Sequence, residues 1–210
     1  NSTINAKTMG VQVCSGSLNV NPGSTITVSG DPVAKTEGDG AIQDGAAISI
    51  VNRPGYKDLG KIAITGGTFT AKDDNAALKA YTWDSATKQE SAFDNSAKTV
   101  AVSGGTFSSA VSSDLCAEGY APVANADGTY SVGAPVAQIG GTVFTSLQAA
   151  IDAAQDGDTV QLLGDVEQNS QLTIGKSITL DLNGKTIKNT VDIWGDNTNA
   201  ILSIKDGAKV

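Results

Sequence analysis

Carboxylates are the abundant reactive groups in this sequence, and their spacing decides what chemistry they could do. The chain holds 22 acidic residues against 14 basic ones and has no histidine. Glu37, Asp39 and Asp44 fall within the glycine-rich run Glu37-Gly-Asp-Gly-Ala-Ile-Gln-Asp-Gly45. Glycine lets backbone carbonyls converge on a hard cation, so this run is the candidate Ca²⁺ site, although it lacks the ligand spacing of a known calcium loop. Asp73 and Asp74 form a second candidate, for glycoside hydrolysis or Ca²⁺. Adjacent residues point apart, however, and Lys72 precedes them, so a solvated corner is expected. Aromatic rings supply the remaining candidate. Tyr81 and Trp83, at alternating positions in a polar stretch, would share one face, there either to stack on sugar rings or to pack against the outside of the fold.

Other residue types are missing, and that narrows the chemistry further. Without histidine there is no Ser/His/Asp or Cys/His nucleophilic system and no His-ligated metal. Cys14 and Cys116 lie far apart and make no metal-ligand pattern. A disulfide stays open, and the plainer reading is two small buried thiols. The formal charge of −8 with one arginine, Arg53, and singly scattered lysines suits no phosphodiester backbone, so no nucleic acid partner is expected. No run approaches the roughly 18 apolar residues of a membrane span. The chain opens in mid-pattern and closes soon after the apolar strand Ala200-Ile-Leu-Ser-Ile204. It therefore reads as a segment of a longer protein, with an exposed end that predicts end-to-end self-association.

The elements that must carry these residues announce themselves by repetition. Lys61-Ile-Ala-Ile-Thr-Gly-Gly-Thr-Phe-Thr70 and Thr99-Val-Ala-Val-Ser-Gly-Gly-Thr-Phe-Ser108 are near copies, offset by 38 residues. Looser relatives are Ser24–Gly30, Ala47–Val51, Ser177–Leu182 and Ala200–Ile204. Each is a short strand with alternating apolar residues closed by Gly, Asn or Asp. Long polar stretches separate the best copies, which fits a solenoid whose coils stack like strands in register, with excursions at the corners. The spacing predicts inward ladders of Ile62, Ile64, Val100 and Val102, and inward rings at Phe69 and Phe107. The 38-residue offset is read as one coil with a long excursion, in which Tyr81–Asn95 is a loop.

Near residue 110 the composition changes. Ser112–Tyr120 contains a helical turn, and Ala121–Val132 reads as a hairpin turning at Asp127-Gly128. Such a segment would cover the end of a coil stack as a lid, with Cys116 as an apolar plug. Beyond a joint at Gly133–Val136, Phe144–Gln155 predicts a helix. Thr145 and Gln148 have capping-box spacing, and Leu147, Ala150, Ile151 and Ala154 share one face. Closely spaced strands follow.

The stretch Phe144-Thr-Ser-Leu-Gln-Ala-Ala-Ile-Asp-Ala-Ala-Gln-Asp-Gly-Asp-Thr-Val160, with Ile178-Thr-Leu-Asp-Leu-Asn-Gly-Lys-Thr-Ile187, resembles the N-terminal cap and first coils of pectate-lyase-like right-handed β-helix proteins. Ser103–Ser108, Ala117–Tyr120 and Asp127–Val132 resemble the coil-plus-terminus unit of large repeat-bearing surface proteins of gut Gram-positive bacteria. The resemblance implies an all-β chain, a right-handed parallel β-helix with a short capping helix near 145–156. Residues 1–133 would be the last coils and lid of one array, and residues 134–210 the cap and first coils of a second. It also implies an extracellular or cell-wall location and glycan or host-surface partners. Such folds carry enzymes and passive stalks alike, so fold alone assigns no activity. The expected function is a non-catalytic surface module, a stalk or adhesin-type segment. The alternative is a carbohydrate-binding or polysaccharide-degrading protein whose active coils lie elsewhere.

Overall fold

The computed structural model describes residues 2–33, 42–125, 127–168, 170–189, 193–195 and 200–206. The described chain is all-β but for one short α-helix and one 3₁₀ turn, and it divides into two compact units, Asn1–Gly133 and Ala134–Val210.

The first unit contains β1 (Thr3–Ala6), β2 (Val11–Val13), β3 (Gly16–Val20), β4 (Thr25–Val28), β5 (Ile48–Asn52), β6 (Leu59–Thr70), β7 (Leu78–Asp84), β8 (Gln89–Ala92), β9 (Val100–Phe107), β10 (Ala121–Ala124) and β11 (Tyr130–Gly133). Three sets of parallel strands meet around one core. In the first, Ile4 faces Ile26, Ile26 faces Phe69 and Phe69 faces Phe107, on β1, β4 and the far ends of β6 and β9. In the second, Leu18 of β3 faces Ile62, which faces Val100, and Val20 faces Ile64, which faces Val102. In the third, Val11 of β2 faces Ile48 of β5, which faces Leu78 of β7. The period-two alternation places these apolar residues on the same side of every strand, so all but the exposed Ile4 on β1 pack into or against the core.

The two near-copies are direct neighbours at an offset of 38 residues, and the chain between them carries β7, which joins the third set, and β8. Each turns its corner on a glycine pair. Gly67 and Gly105 sit at φ of 114° and 113°. A Cβ on Gly67 would lie 2.8 Å from the Phe69 ring and 2.9 Å from the Ser24 carbonyl oxygen, so both backbone angle and space demand glycine here.

The loop expected over Tyr81–Asn95 is instead largely an antiparallel hairpin, with Tyr81 of β7 facing Ala92 of β8 and Trp83 facing Glu90. Its β-branched and aromatic residues suit a half-buried strand. Asp84 secures the turn by accepting from Ala86 N at 2.8 Å and Thr87 Oγ1 at 2.8 Å. The return to β9 is pinned by buried Asn95. Its Nδ2 donates to the carbonyls of Val100 and Asp114, at 3.0 and 2.6 Å, and its Oδ1 accepts from Val100 N. After a 3₁₀ turn at Ser113–Leu115, Cys116 bridges to Val102, and the antiparallel pair β10–β11 ends the sheet against β9.

The second unit contains β12 (Ala137–Ile139), β13 (Thr142–Phe144), α1 (Leu147–Ala153), β14 (Thr159–Leu162), β15 (Val166–Gln168), β16 (Leu172–Ile174), β17 (Ile178–Asp181), β18 (Ile187–Asn189), β19 (Ile193–Gly195) and β20 (Leu202–Lys205). Three consecutive strands pair in parallel with the next three, β14 with β17, β15 with β18 and β16 with β19, and β17 then pairs with β20. The steps between facing residues are 20, 21, 21 and 24, as in Thr159–Thr179 and Ile178–Leu202. Leu147, Ala150 and Ile151 of α1, with Ala154 at its end, bury against Val160, Leu162, Leu172 and Leu180.

The helix starts one residue later than the capping-box spacing indicated. Ser146, extended at φ −140°, is the N-cap, and its side chain accepts from Ala149 N at 3.1 Å. Gln148 is thereby freed from capping. Its side-chain amide donates to Thr173 O and accepts from Thr173 N, both at 2.9 Å, clamping the helix to β16.

Candidate functional site

The strands β5 and β7 bury side chains on both faces, and the outward face holds a polar cluster. Ile48, Ile50 and Leu78 point into the main core, whereas Val51, Tyr81 and Trp83 form a second cluster with Ile42 and the half-buried Cys14. Tyr81 is 3% and Trp83 1% exposed. These rings therefore offer no face to a sugar, which corrects the carbohydrate-platform reading. They lie on the outer side of the sheet, beneath the chain entering β5.

Asp44 belongs to that entering chain and is buried with Ser49 and Arg53. Asp44 Oδ1 accepts from Ala46 N at 3.2 Å and from Ser49 Oγ at 2.7 Å. Asp44 Oδ2 accepts from Tyr81 Oη–H at 2.9 Å and lies 2.8 Å from the same Ser49 hydroxyl. Burial, and then the Asp44 carboxylate, push the Tyr81 phenol far above the ordinary tyrosine range, only partly opposed by the Arg53 guanidinium. A phenol so held is a donor and not a base.

Both Asp44 oxygens have protein donors, so Asp44 acts in this structure as a clasp between the entering chain, β5 and β7. Glu37 and Asp39, its partners in the Ca²⁺ reading, lie outside the described residues. Among the described residues no group of three or more acidic or Cys side chains is placed to hold a metal. Asp73 is solvated, its side chain 75% exposed beside Lys72, and Lys72 pairs with Asp31 at 2.7 Å. Cys14 and Cys116 form no disulfide. Cys116 is buried, and burial raises its pKa despite the nearby Lys98.

The second unit carries a cluster that the sequence reading missed. Gln138, Gln161, Asp181 and Lys205 occupy one register position on β12, β14, β17 and β20. Gln138 Nε2 donates to Gln161 Oε1 at 2.7 Å, Gln161 Nε2 donates to Asp181 Oδ2 at 3.3 Å, and Lys205 Nζ lies 3.3 Å from the same oxygen. The ladder floors a groove of about 350 Å³ that also touches Thr159. Burial would raise the pKa of Asp181, but the Asn183 amide, Lys205 and Gln161 outweigh it, and the carboxyl stays below its usual range. One carboxylate neutralised by one ammonium can anchor a polar ligand. It is not the spaced carboxylate pair that glycoside hydrolysis uses. The signal for it was a polar residue at the same place in each strand, visible only once the register is known.

Compared with known proteins, the chain matches no family model, no curated protein and no solved structure.

Proposed function

We propose that both units are pieces of right-handed parallel β-helix and that the chain is a non-catalytic, extracellular surface module, a stalk or adhesin-type segment. The observation that carries this reading is the in-register parallel stacking of short strands at intervals near 21 residues in the second unit. Parallel strands whose inward residues are buried resist slippage, because a one-residue shift would turn every core side chain outward. A helix clamped over the first strands of the second unit, and a hairpin ending the first, are what the two ends of such stacks need. The polar clusters are engaged internally, as suits a surface that carries force and presents groups without transforming them.

Incubation with polygalacturonate and neutral glucans, with and without Ca²⁺, checks the non-catalytic part. No new reducing ends or unsaturated products are expected above the protein-free control. Metal- or pH-dependent cleavage lost in Asp181→Asn would overturn it.

End-to-end association belongs to the same proposal. Among the described residues β20 pairs only with β17, and Ile201 and Ile204 beside this edge are 68% and 59% exposed. An open parallel edge flanked by isoleucine is a template for another strand. Sedimentation is expected to show concentration-dependent association that Ile204→Lys reduces. A concentration-independent monomer would refute it.

A further inference from the structure

The outward face of β1, β4, β6 and β9 presents a grid of hydroxyls that neither the core nor the polar clusters use. Thr3, Thr25, Thr68 and Thr106 face one another on successive strands. Two residues on, Asn5, Thr27 and Thr70 form a second column in the same register, and Ser108 follows Phe107 at its end. Between the columns Ile26, Phe69 and Phe107 are buried, so the flanking residues point outward. Thr68 and Thr70 are exposed, and Thr25, Thr27 and Thr106 are half-buried. Among the described residues no protein group hydrogen-bonds the hydroxyls of these five threonines. The Ser108 hydroxyl is engaged by Ala71 N at 2.9 Å.

Sheet geometry sets the grid at about 4.8 Å across strands and about 6.6 Å along them. Threonine is stiff at χ1, so the hydroxyls are held in place before anything binds, which lowers the entropic cost of binding. The columns carry no charge, whereas the chain as a whole is at −8. Such a face favours a neutral ligand over a polyanion. A hydroxyl both donates and accepts, and so it matches a partner whose own groups do both.

We propose that this face binds a neutral, hydroxyl-rich polysaccharide laid across the strands, one sugar to each strand. The strand spacing is close to the advance of one pyranose along an extended glycan, so the same weak contact recurs from rung to rung without losing phase. Individually modest hydrogen bonds then add along the polymer. This supplies the ligand class of the surface module, and it rests on that reading only for the module's location.

Retention of the full chain on insoluble cellulose, with chitin as a second neutral matrix and polygalacturonate gel as the acidic comparison, tests it. The native chain should be retained on cellulose in preference to polygalacturonate. The triple variant Thr25→Val, Thr68→Val, Thr70→Val keeps the β-branched shape and should keep the native melting curve, yet lose retention by about tenfold or more. Thr179→Val in the second unit should leave retention unchanged. No retention of the native chain on cellulose or chitin, undiminished retention of the triple variant, or preference for polygalacturonate would each overturn the proposal. So would shaping of ice crystals without glycan retention, which would assign the grid to ordered water. Glycan retention is read separately from cleavage, so its loss with a negative cleavage assay leaves the stalk reading standing without this ligand.

Discussion

Phe69→Ala is expected to lower the stability of the first unit by about 3–5 kcal/mol, a large share of the roughly 5–15 kcal/mol that holds a domain together. Phe69 and Phe107 are fully buried, with ring centroids 4.9 Å apart. Removing one ring loses its transfer free energy, leaves a cavity that close-packed neighbours cannot fill, and ends a stacked contact. The cavity cannot collapse easily, because the ring sits between the backbone of the two glycine corners. A Cβ on Gly105 would itself lie 3.0 Å from Phe69. Differential scanning calorimetry should show a transition lowered by roughly 10–20 °C. Phe69→Leu should fall between the native chain and Phe69→Ala. A shift under a degree for Phe69→Ala would show that the ring ladder contributes nothing.

Asp44→Ala should cost about 3 kcal/mol, since it removes a buried acceptor and leaves the Ser49 and Tyr81 hydroxyls without it, in a site that also holds Arg53. Tyr81→Phe, which deletes one donor to that carboxylate, should cost about 1–2 kcal/mol. In denaturant titrations the double variant should be less destabilised than the sum of the singles, because both singles remove the same hydrogen bond. The phenol also predicts an alkaline limit. The unfolded chain releases the Tyr81 proton near pH 10, whereas the folded chain holds it to higher pH. The stabilisation is therefore complete below about pH 10 and drains away as pH rises above it. The stability gap between the native chain and Tyr81→Phe should narrow over that range. A constant gap would exclude the coupling.

What could be read in the sequence was whatever obeys a local period. Ile62, Ile64, Val100 and Val102 alternate, and all four are fully buried. Leu147, Ala150, Ile151 and Ala154 fall on one helical face, and all four are buried. Features set by distant partners were hidden. Asp44 finds Tyr81 across 37 residues, and in sequence it resembles one more loop carboxylate. Tyr81 and Trp83 sit among Lys, Thr and Asp, so their strand looked like a polar excursion. Only the layer that covers its outer side makes both faces apolar. The Gln138–Lys205 ladder was equally invisible, because none of its four members is unusual for an exposed strand position. Between Thr145 and Ser146 as helix cap, spacing favoured the former, and the extended backbone at Ser146 decided otherwise.

The glycine corner of β6 has a further consequence for how the first unit would unfold. The start of β6 pairs with β3 and its end with β4, so one continuous strand is stitched into two faces of the first unit. Lifting either half strains the other through the corner. The first unit is thereby built to open as a single cooperative block. In the second unit each strand serves one face only, and its turns are nearly equal in length. On the proposed β-helix reading, such strands would melt like a row of neighbours, one rung at a time. One chain would then combine an all-or-none segment with a graded one, which would make the second unit the place where a rung can be gained or lost without the rest noticing.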